Sequence, residues 1–201
     1  MTTFYKVVRA IVLPFTKLLY PYKIVNPEKM NLEGGFILAA NHTSMLDVFF
    51  LVLAFKKRMI RFMAKEELFK NPILRWFVTK MGAFAVRRGK GDKESINVAI
   101  NIIKEGKIMG IFPEGTRSKD GKPLRAKSGV ALIAATCEAD ILPVHIIPKT
   151  KSGLVKPFHR TYVVFGDVIK FEDLGIVNKV PSEFKTASRL IMDTIIEIKE
   201  K

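Results

Sequence analysis

Short apolar runs recur along the chain, and amphipathic helical patterns separate many of them. Between residues 93 and 104, for example, three isoleucines and one alanine share a side of a helix, and Gly106 follows as a stop signal. Strands that alternate with helices bury their apolar faces by stacking in layers. The sequence therefore predicts an α/β fold in which helices flank a mixed sheet. The predicted strands lie at residues 36–40, 59–64, 82–86, 108–112, 141–147 and 161–165.

The first of these runs ends in a polar heptapeptide, Asn-His-Thr-Ser-Met-Leu-Asp, at residues 41–47. On one regular helix, residues five apart point about 140° away from each other, so His42 and Asp47 would not pair there. If Thr43 or Ser44 caps a helix, however, His42 lies in the preceding loop and Asp47 in the first turn. The carboxylate then holds one ring nitrogen while the other faces a substrate proton, which makes a general-base dyad. The alternative is an ordinary helix cap with a first-turn Asp and a histidine that only packs nearby.

A second polar segment, Phe-Pro-Glu-Gly-Thr-Arg-Ser, follows a later apolar run at residues 112–118. Its acid, flexible glycine, hydroxyls and guanidinium predict an anion clamp beside the base. The chain has no Gly-x-Ser-x-Gly elbow, and its only cysteine, Cys137, lies in an apolar stretch that suits a small buried hydrophobe. A dyad without its own nucleophile activates a hydroxyl or water that the substrate brings. Direct transfer to a bound alcohol fits this pattern.

Four blocks carry a resemblance to the glycerolipid acyltransferase family, in particular to its bacterial 1-acyl-sn-glycerol-3-phosphate acyltransferases. In the family's order they are residues 41–47, residues 82–88 (Gly-Ala-Phe-Ala-Val-Arg-Arg), residues 112–118 and residues 141–144 (Ile-Leu-Pro-Val). The resemblance spans most of the chain. It implies transfer of a fatty acyl group from acyl-CoA or acyl carrier protein (acyl-ACP) to the sn-2 hydroxyl of lysophosphatidic acid, which forms phosphatidic acid.

The resemblance also implies roles for particular residues. His42 would take the proton of the acceptor hydroxyl, and Asp47 would orient it. Arg117 would hold the acceptor phosphate, for which a planar fork of donors is suited. The adjacent Arg87 and Arg88 would face opposite sides of a strand, and we favour Arg88 as the substrate ligand. The remaining substrate-binding positions of the third block are Glu114, Gly115 and Thr116. An ordinary solvated charge is the alternative for each arginine.

Lys127 is a further candidate, independent of the family's blocks. It lies just before a predicted helix start, where its charge and nearby backbone amides would add to a phosphate site. The alternative is a loop lysine without a role.

The N-terminus has the pattern of an interfacial helix. Its apolar core is too short for a membrane span of about 20 residues, Pro14 would kink or divide it, and it is a poor signal peptide. We expect residues 1–23 to form an amphipathic membrane-interface segment and residues 24–201 the acyltransferase domain, although packing on the protein's own core is the alternative. The apolar positions are Phe4, Val7, Val8, Ile11, Phe15, Leu18 and Leu19, with Lys6, Arg9 and Lys17 between them.

Charge and a second apolar segment favour the same location. The net charge of +15 would draw the chain to an anionic membrane surface, and residues 66–80 place Trp76 among aliphatic and basic residues. We expect a peripheral or monotopic protein on the cytoplasmic face of the cell membrane. No recognisable nucleic-acid module accompanies the charge, so nucleic acid is not an expected partner.

The sequence predicts neither a cofactor nor a metal. Three scattered histidines and one cysteine match no ligand spacing, and His145 is expected to be structural. Two alternative hypotheses stay open. In the first, the enzyme uses another acceptor: another lysophospholipid, glycerol 3-phosphate or a lyso-ornithine lipid. In the second, the chain is a basic membrane-surface or nucleic-acid-binding protein without catalysis. The choice between acyl-CoA and acyl-ACP, the acyl-chain length and the oligomeric state are not determined by the sequence.

Overall fold

The computed structural model describes residues 2–86 and 93–200 of the chain. Within them, seven strands form one mixed sheet in the order β1-β7-β6-β2-β5-β3-β4. The predicted α/β fold is confirmed, and β2 to β7 lie on the six apolar runs. The strands are β1 (Tyr22–Val25), β2 (Phe36–Ala40), β3 (Ile60–Lys65), β4 (Phe84–Val86), β5 (Ile108–Ile111), β6 (Ile141–Pro148) and β7 (Thr161–Phe165).

Strand directions bring several chain segments to one side of the sheet. β2 pairs in parallel with β5 and β6, and β3 pairs in parallel with β5 and β4. Their carboxyl ends therefore meet along one side, which we call the carboxyl edge. β7 runs antiparallel to β6 and parallel to β1. Because Thr161 at the start of β7 is opposite both Pro148 and Tyr22, the starts of β7 and β1 also lie at the carboxyl edge.

Six α-helices are described, and five of them cover the two faces of the sheet. Side chains of β2 alternate between the faces with the period of two that strand geometry dictates. Phe36, Leu38 and Ala40 pack with α1 and α2, whereas Ile37 and Ala39 pack with α4, α5 and α6. The helices are α1 (Thr3–Leu19), α2 (Leu46–Ala54), α3 (Pro72–Lys80), α4 (Lys93–Lys104), α5 (Gly129–Cys137) and α6 (Pro181–Glu197).

Helix α1 leaves much of its apolar side exposed. It runs through Pro14 as a single helix, so the division expected there does not occur. Tyr5 and Thr16 are buried, and the Arg9 guanidinium donates to the Leu53 carbonyl of α2 at 3.0 Å. The exposed large apolar residues of α1 form what we call the apolar stripe: Val7, Ile11, Phe15, Leu18 and Leu19. Among residues 2–86 and 93–200, no helix has both the length and the apolar character needed to cross a bilayer.

Helix α3 extends the exposed apolar surface. The Trp76 and Ile73 side chains are exposed, and the Phe4 ring of α1 meets the Trp76 ring edge-on with centroids 4.9 Å apart. The predicted segment 66–80 is therefore a short 3-10 turn followed by a helix whose aromatic side chains contact α1.

Candidate active site

His42 and Asp47 meet at the carboxyl edge, where β2 ends and α2 begins. The chain leaves β2 at Ala40, and Asp47 lies in the first turn of α2. The His42 Nδ1 and Asp47 Oδ2 atoms are 3.0 Å apart, and the Asp47 side chain is fully buried. The backbone N–H groups of Thr43 and Ser44 also donate to Asp47 Oδ2, each at 2.7 Å. These donors fix the position of the carboxylate beside the histidine.

The helix cap differs from the one predicted. The N-cap of α2 is Met45, whose side chain makes no capping hydrogen bond, and neither Thr43 nor Ser44 takes that position. Ser44 Oγ nevertheless accepts from the Leu46 N–H at 3.2 Å, and Asp47 itself binds the preceding backbone. The loop is thus shaped by the same carboxylate that holds the histidine.

The His42 ring is fixed on a second side by an aromatic stack. Its centroid lies 3.9 Å from that of Phe112 with an interplanar angle of 13°, and Phe62 lies beyond Phe112 in a similar orientation. When Nδ1–H donates to Asp47, Nε2 is the unprotonated nitrogen that accepts a proton. In that tautomer, the ring has the orientation that a general base needs.

Glu114 ties the histidine loop to the segment after β5. Its Oε1 accepts from the His42 N–H at 2.7 Å, and its Oε2 accepts from the Leu124 N–H at 3.0 Å. The Ser118 N–H in turn donates to the His42 carbonyl at 2.8 Å. Burial raises the pKa of the Glu114 carboxyl, against the lowering effect of these two backbone donors. Both carboxylate oxygens thus face the backbone, an arrangement that suits positioning of His42.

The other predicted substrate-binding residues surround this junction. Gly115 has a φ of +68°, and a Cβ there would lie 2.9 Å from Lys127 Cδ, so the Lys127 side chain passes across the glycine. The Lys127 N–H donates to the Pro113 carbonyl at 2.9 Å, which brings the two segments together. Thr116 and Arg117 are exposed beside them. Arg88 lies outside the described residues.

Asn41 has a structural part that the sequence reasoning did not assign. Its side-chain amide donates to the Ile146 carbonyl at 2.9 Å and accepts from the Ile146 N–H at 2.7 Å. It thereby continues the β2–β6 pairing one residue past the end of β2. An asparagine directly after a buried strand is the sequence signal, since its amide matches the two groups of a peptide.

Other candidate ligands lie apart from one another. His145 Nδ1 is 2.9 Å from the Ile198 carbonyl, and burial lowers the pKa of its imidazole. Burial raises the pKa of the Cys137 thiol. No group of three or more His, Cys, Asp or Glu side chains in the described part of the chain is arranged to hold a metal ion.

Fold and site together define an α/β protein with a buried His–Asp pair at the carboxyl edge of its sheet and basic side chains beside it. The Acyltransferase family model matches residues 22–148, which run from β1 to the end of β6. The chain belongs to the Acyltransferase family.

Individual relatives are similar over much of the chain. It is 38% identical over 121 residues to a 1-acyl-sn-glycerol-3-phosphate acyltransferase of Bacillus subtilis, and this match covers 60% of each protein. It is 33% identical over 172 residues to the protein of the same name from Streptococcus pneumoniae, which covers 80% of this chain and 63% of that one. The chain thus spans 60% and 63% of the length of these two relatives.

A solved structure shares the fold. The crystal structure of the 1-acyl-sn-glycerophosphate (LPA) acyltransferase PlsC from Thermotoga maritima matches with a TM-score of 0.70 at 22% sequence identity. The match covers 98% of this chain and 81% of that one.

Proposed function

We propose that this protein is a 1-acylglycerol-3-phosphate O-acyltransferase. It moves a fatty acyl group from acyl-CoA or acyl-ACP to the sn-2 hydroxyl of 1-acyl-sn-glycerol-3-phosphate and forms phosphatidic acid. The observation that carries this proposal is the buried His42–Asp47 pair, 3.0 Å apart and held by two backbone donors. The names of the relatives from Bacillus subtilis and Streptococcus pneumoniae support the acceptor.

The reaction begins when His42 Nε2 takes the proton of the sn-2 hydroxyl. The alkoxide oxygen then attacks the thioester carbonyl carbon and forms a tetrahedral intermediate. Collapse of this intermediate breaks the carbon–sulfur bond, and the imidazolium returns its proton to the leaving thiolate. Asp47 orients the ring and stabilises the imidazolium between these two steps. The products are phosphatidic acid and the free thiol of the carrier.

The acceptor phosphate is assigned to the basic side chains around Gly115. Lys127 passes across this glycine, and Arg117 is exposed two residues after it. Arg117 offers a fork of donors and Lys127 a compact charge, both suited to a phosphate dianion. The exposed Thr116 hydroxyl adds a polar contact. Arg88 stays a predicted ligand from the family's second block.

The apolar stripe is assigned to the membrane. Its five apolar side chains are exposed, whereas Tyr5 and Thr16 of the same helix are buried against the protein. Insertion of such a stripe into the headgroup boundary buries apolar area, and basic neighbours favour anionic lipids. Trp76 lies next to α1 and suits the same boundary. The protein then lies on the cytoplasmic face of the membrane as a peripheral or monotopic enzyme.

The test is acyl transfer on anionic vesicles that contain lysophosphatidic acid, with acyl-CoA and acyl-ACP offered separately. His42→Ala should lower transfer by about 10²- to 10⁴-fold, the usual value of a general base. Vesicle binding should stay near that of the native protein, since the buried ring takes no part in the proposed membrane contacts. Transfer at the native rate by this variant would remove His42 from the mechanism. Transfer only to another lysolipid would replace the acceptor and keep the reaction class.

A further inference from the structure

The loop between β6 and β7 is placed at the carboxyl edge of the sheet. β6 ends at Pro148, and β7 begins at Thr161 directly opposite it. The loop comprises residues 149–160, which we call the β6–β7 loop. His42 lies at the same edge, because Asn41 is bonded to Ile146 near the end of β6. The loop and the candidate base are therefore on the same side of the molecule.

The β6–β7 loop also joins the apolar stripe to the segment that follows the site. The Phe158 N–H donates to the Leu19 carbonyl at 2.7 Å, which fixes the loop against the end of α1. On its other side, the loop packs on Gly121: a Cβ there would meet the Ser152 carbonyl oxygen and lie 2.8 Å from Gly153. Gly121 belongs to the stretch between Glu114 and Lys127. The loop thus bridges α1 and the candidate substrate site.

Phe158 is exposed in a way that folding alone does not favour. Its side chain is 72% exposed, and its φ of 61° is a left-handed conformation that bulky residues rarely adopt. The backbone hydrogen bond to Leu19 holds it there. Moving a large apolar ring out of water is favourable, yet this ring is left mostly exposed in the protein. Its backbone bond to Leu19 places it at the end of the apolar stripe.

The charged residues of the β6–β7 loop all carry a positive charge. Lys151, Lys156 and Arg160 are exposed, and residues 149–160 contain no Asp or Glu. Lys149 forms a salt bridge with Glu200, so its charge is already paired. Exposed cations around an aromatic ring complement the anionic headgroups and the apolar boundary of a bilayer.

We propose that the β6–β7 loop is a second bilayer contact, in which Phe158 enters the headgroup boundary while Lys156 and Arg160 bind anionic lipid. The proposal rests on the proposed function, since it takes the apolar stripe to face the bilayer. A single helix lying on the bilayer leaves the protein free to rotate about the helix axis. Contacts through both the apolar stripe and the β6–β7 loop fix its orientation. In that orientation the carboxyl edge, and with it His42, faces the lipid acceptor.

Tryptophan fluorescence on vesicles tests this contact directly. Trp76 is the only tryptophan of the chain, so Phe158→Trp in a Trp76→Phe background carries a single reporter in the loop. Val177→Trp in the same background is the matched control. Val177 is 79% exposed but lies at the opposite edge, between the 3-10 turn beside the start of β6 and the start of α6. The vesicles contain phosphatidylglycerol and phosphatidylcholine with brominated acyl chains.

The expected result is a blue shift and bromine quenching for the reporter at position 158, and neither for the reporter at position 177. An unquenched reporter at position 158 would overturn the proposal, as would equal quenching at both positions. Acyl transfer in detergent micelles examines the chemistry separately. Quenching with no transfer would contradict the proposed reaction alone, whereas transfer without quenching at position 158 would contradict the loop contact alone.

The charged part of the contact has its own control. Lys156→Ser and Arg160→Ser should each weaken binding to phosphatidylglycerol vesicles by about fivefold, and leave binding to pure phosphatidylcholine unchanged. Lys179→Ser removes an exposed lysine at the opposite edge and should leave both affinities unchanged. An equal loss for all three variants would mean that only total charge matters, which would overturn a localised contact.

Discussion

Glu114 illustrates how a single side chain can hold the backbone of a candidate catalytic group. Both of its oxygens accept backbone N–H groups, one from His42 and one from Leu124. A glutamine in its place has one carbonyl oxygen, so its amide nitrogen would oppose an N–H donor. The backbone of His42 would then lose part of its support, and the His42 ring would shift although its chemistry is the same.

Glu114→Gln should therefore lower kcat about 10²-fold, the cost that a misplacement of about 1 Å can bring, and leave KM for lysophosphatidic acid nearly unchanged. Steady-state kinetics on vesicles give both constants. Glu172→Gln, at an exposed carboxylate in the 3-10 turn before α6, is the control and should match the native enzyme. A raised KM with native kcat would instead place Glu114 in contact with the acceptor.

At this scale, the sequence predicts short-range geometry better than long-range partners. The pairing of His42 with Asp47 follows from a spacing that a helix cannot satisfy and a loop followed by a helix can. The inward orientation of Glu114 has no such signal, because its donors come from two segments that only the parallel pairing of β2 with β5 brings together. The cap at Met45 was missed because Asp47 turns back to bind Thr43 and Ser44.

Two glycines show opposite effects of a Cβ on the elements that contain them. Gly110 lies in β5 between β2 and β3, where a Cβ would be 2.5 Å from the Phe62 ring and 2.6 Å from an Ile60 methyl group. Gly129 begins α5, has open space around it and lies outside the left-handed region. A methyl group would therefore clash at position 110 and fit at position 129.

Gly110→Ala should lower the free energy of unfolding by about 1–3 kcal/mol because it overpacks the sheet. Gly129→Ala should raise it by about 0.4–1 kcal/mol because it reduces the freedom of the unfolded chain. Urea titrations of both variants measure the change in the free energy of unfolding, which should be negative for Gly110→Ala and positive for Gly129→Ala. A Gly110→Ala protein as stable as the native one would contradict the close contact with Phe62.

The end of α6 is joined to β6 through a neutral histidine. His145 Nδ1 lies 2.9 Å from the Ile198 carbonyl, and burial lowers the pKa of the ring below its ordinary value of 6.5. The unfolded chain therefore binds this proton at a higher pH than the folded protein does. Stability that depends on the neutral ring is complete above about pH 6.5 and is lost as the pH falls toward the folded-state pKa.

His145→Gln removes this titration and keeps a donor for the carbonyl. The free energy of unfolding should then fall less steeply with decreasing pH, over the range below about pH 6.5, than it does in the native protein. Urea titrations at several pH values give the two slopes. Identical slopes would show that the proton on His145 does not couple to folding.

The sequence predicts the helices and strands that have a clear apolar pattern, but it does not predict the short strand β1. β1 is four residues long and pairs only with β7, which lies far away in sequence, so its local pattern did not distinguish it from the end of the N-terminal segment. The alternation of β2 between two faces, in contrast, follows from five consecutive buried residues. The order of strands in the sheet depends on crossovers that no local pattern contains.

At the scale of the whole molecule, two independent terms contribute to membrane binding. The net charge of +15 acts over the distance that salt permits, whereas the apolar stripe acts only on contact. The Debye length falls from about 10 Å at 0.1 M salt to about 3 Å at 1 M. Salt should therefore remove most of the electrostatic term and leave the apolar term.

Affinity for anionic vesicles should accordingly fall between 0.1 M and 1 M salt and reach a plateau above zero. Ile11→Ser together with Phe15→Ser should lower binding at both salt concentrations by a similar factor, about tenfold or more, because two exposed apolar side chains of the stripe are lost. Sedimentation with vesicles gives the affinities. Since the terms are independent, the salt slope of the double variant should equal that of the native protein. A plateau at zero would mean that the stripe does not enter the bilayer, and that charge alone holds the protein on it.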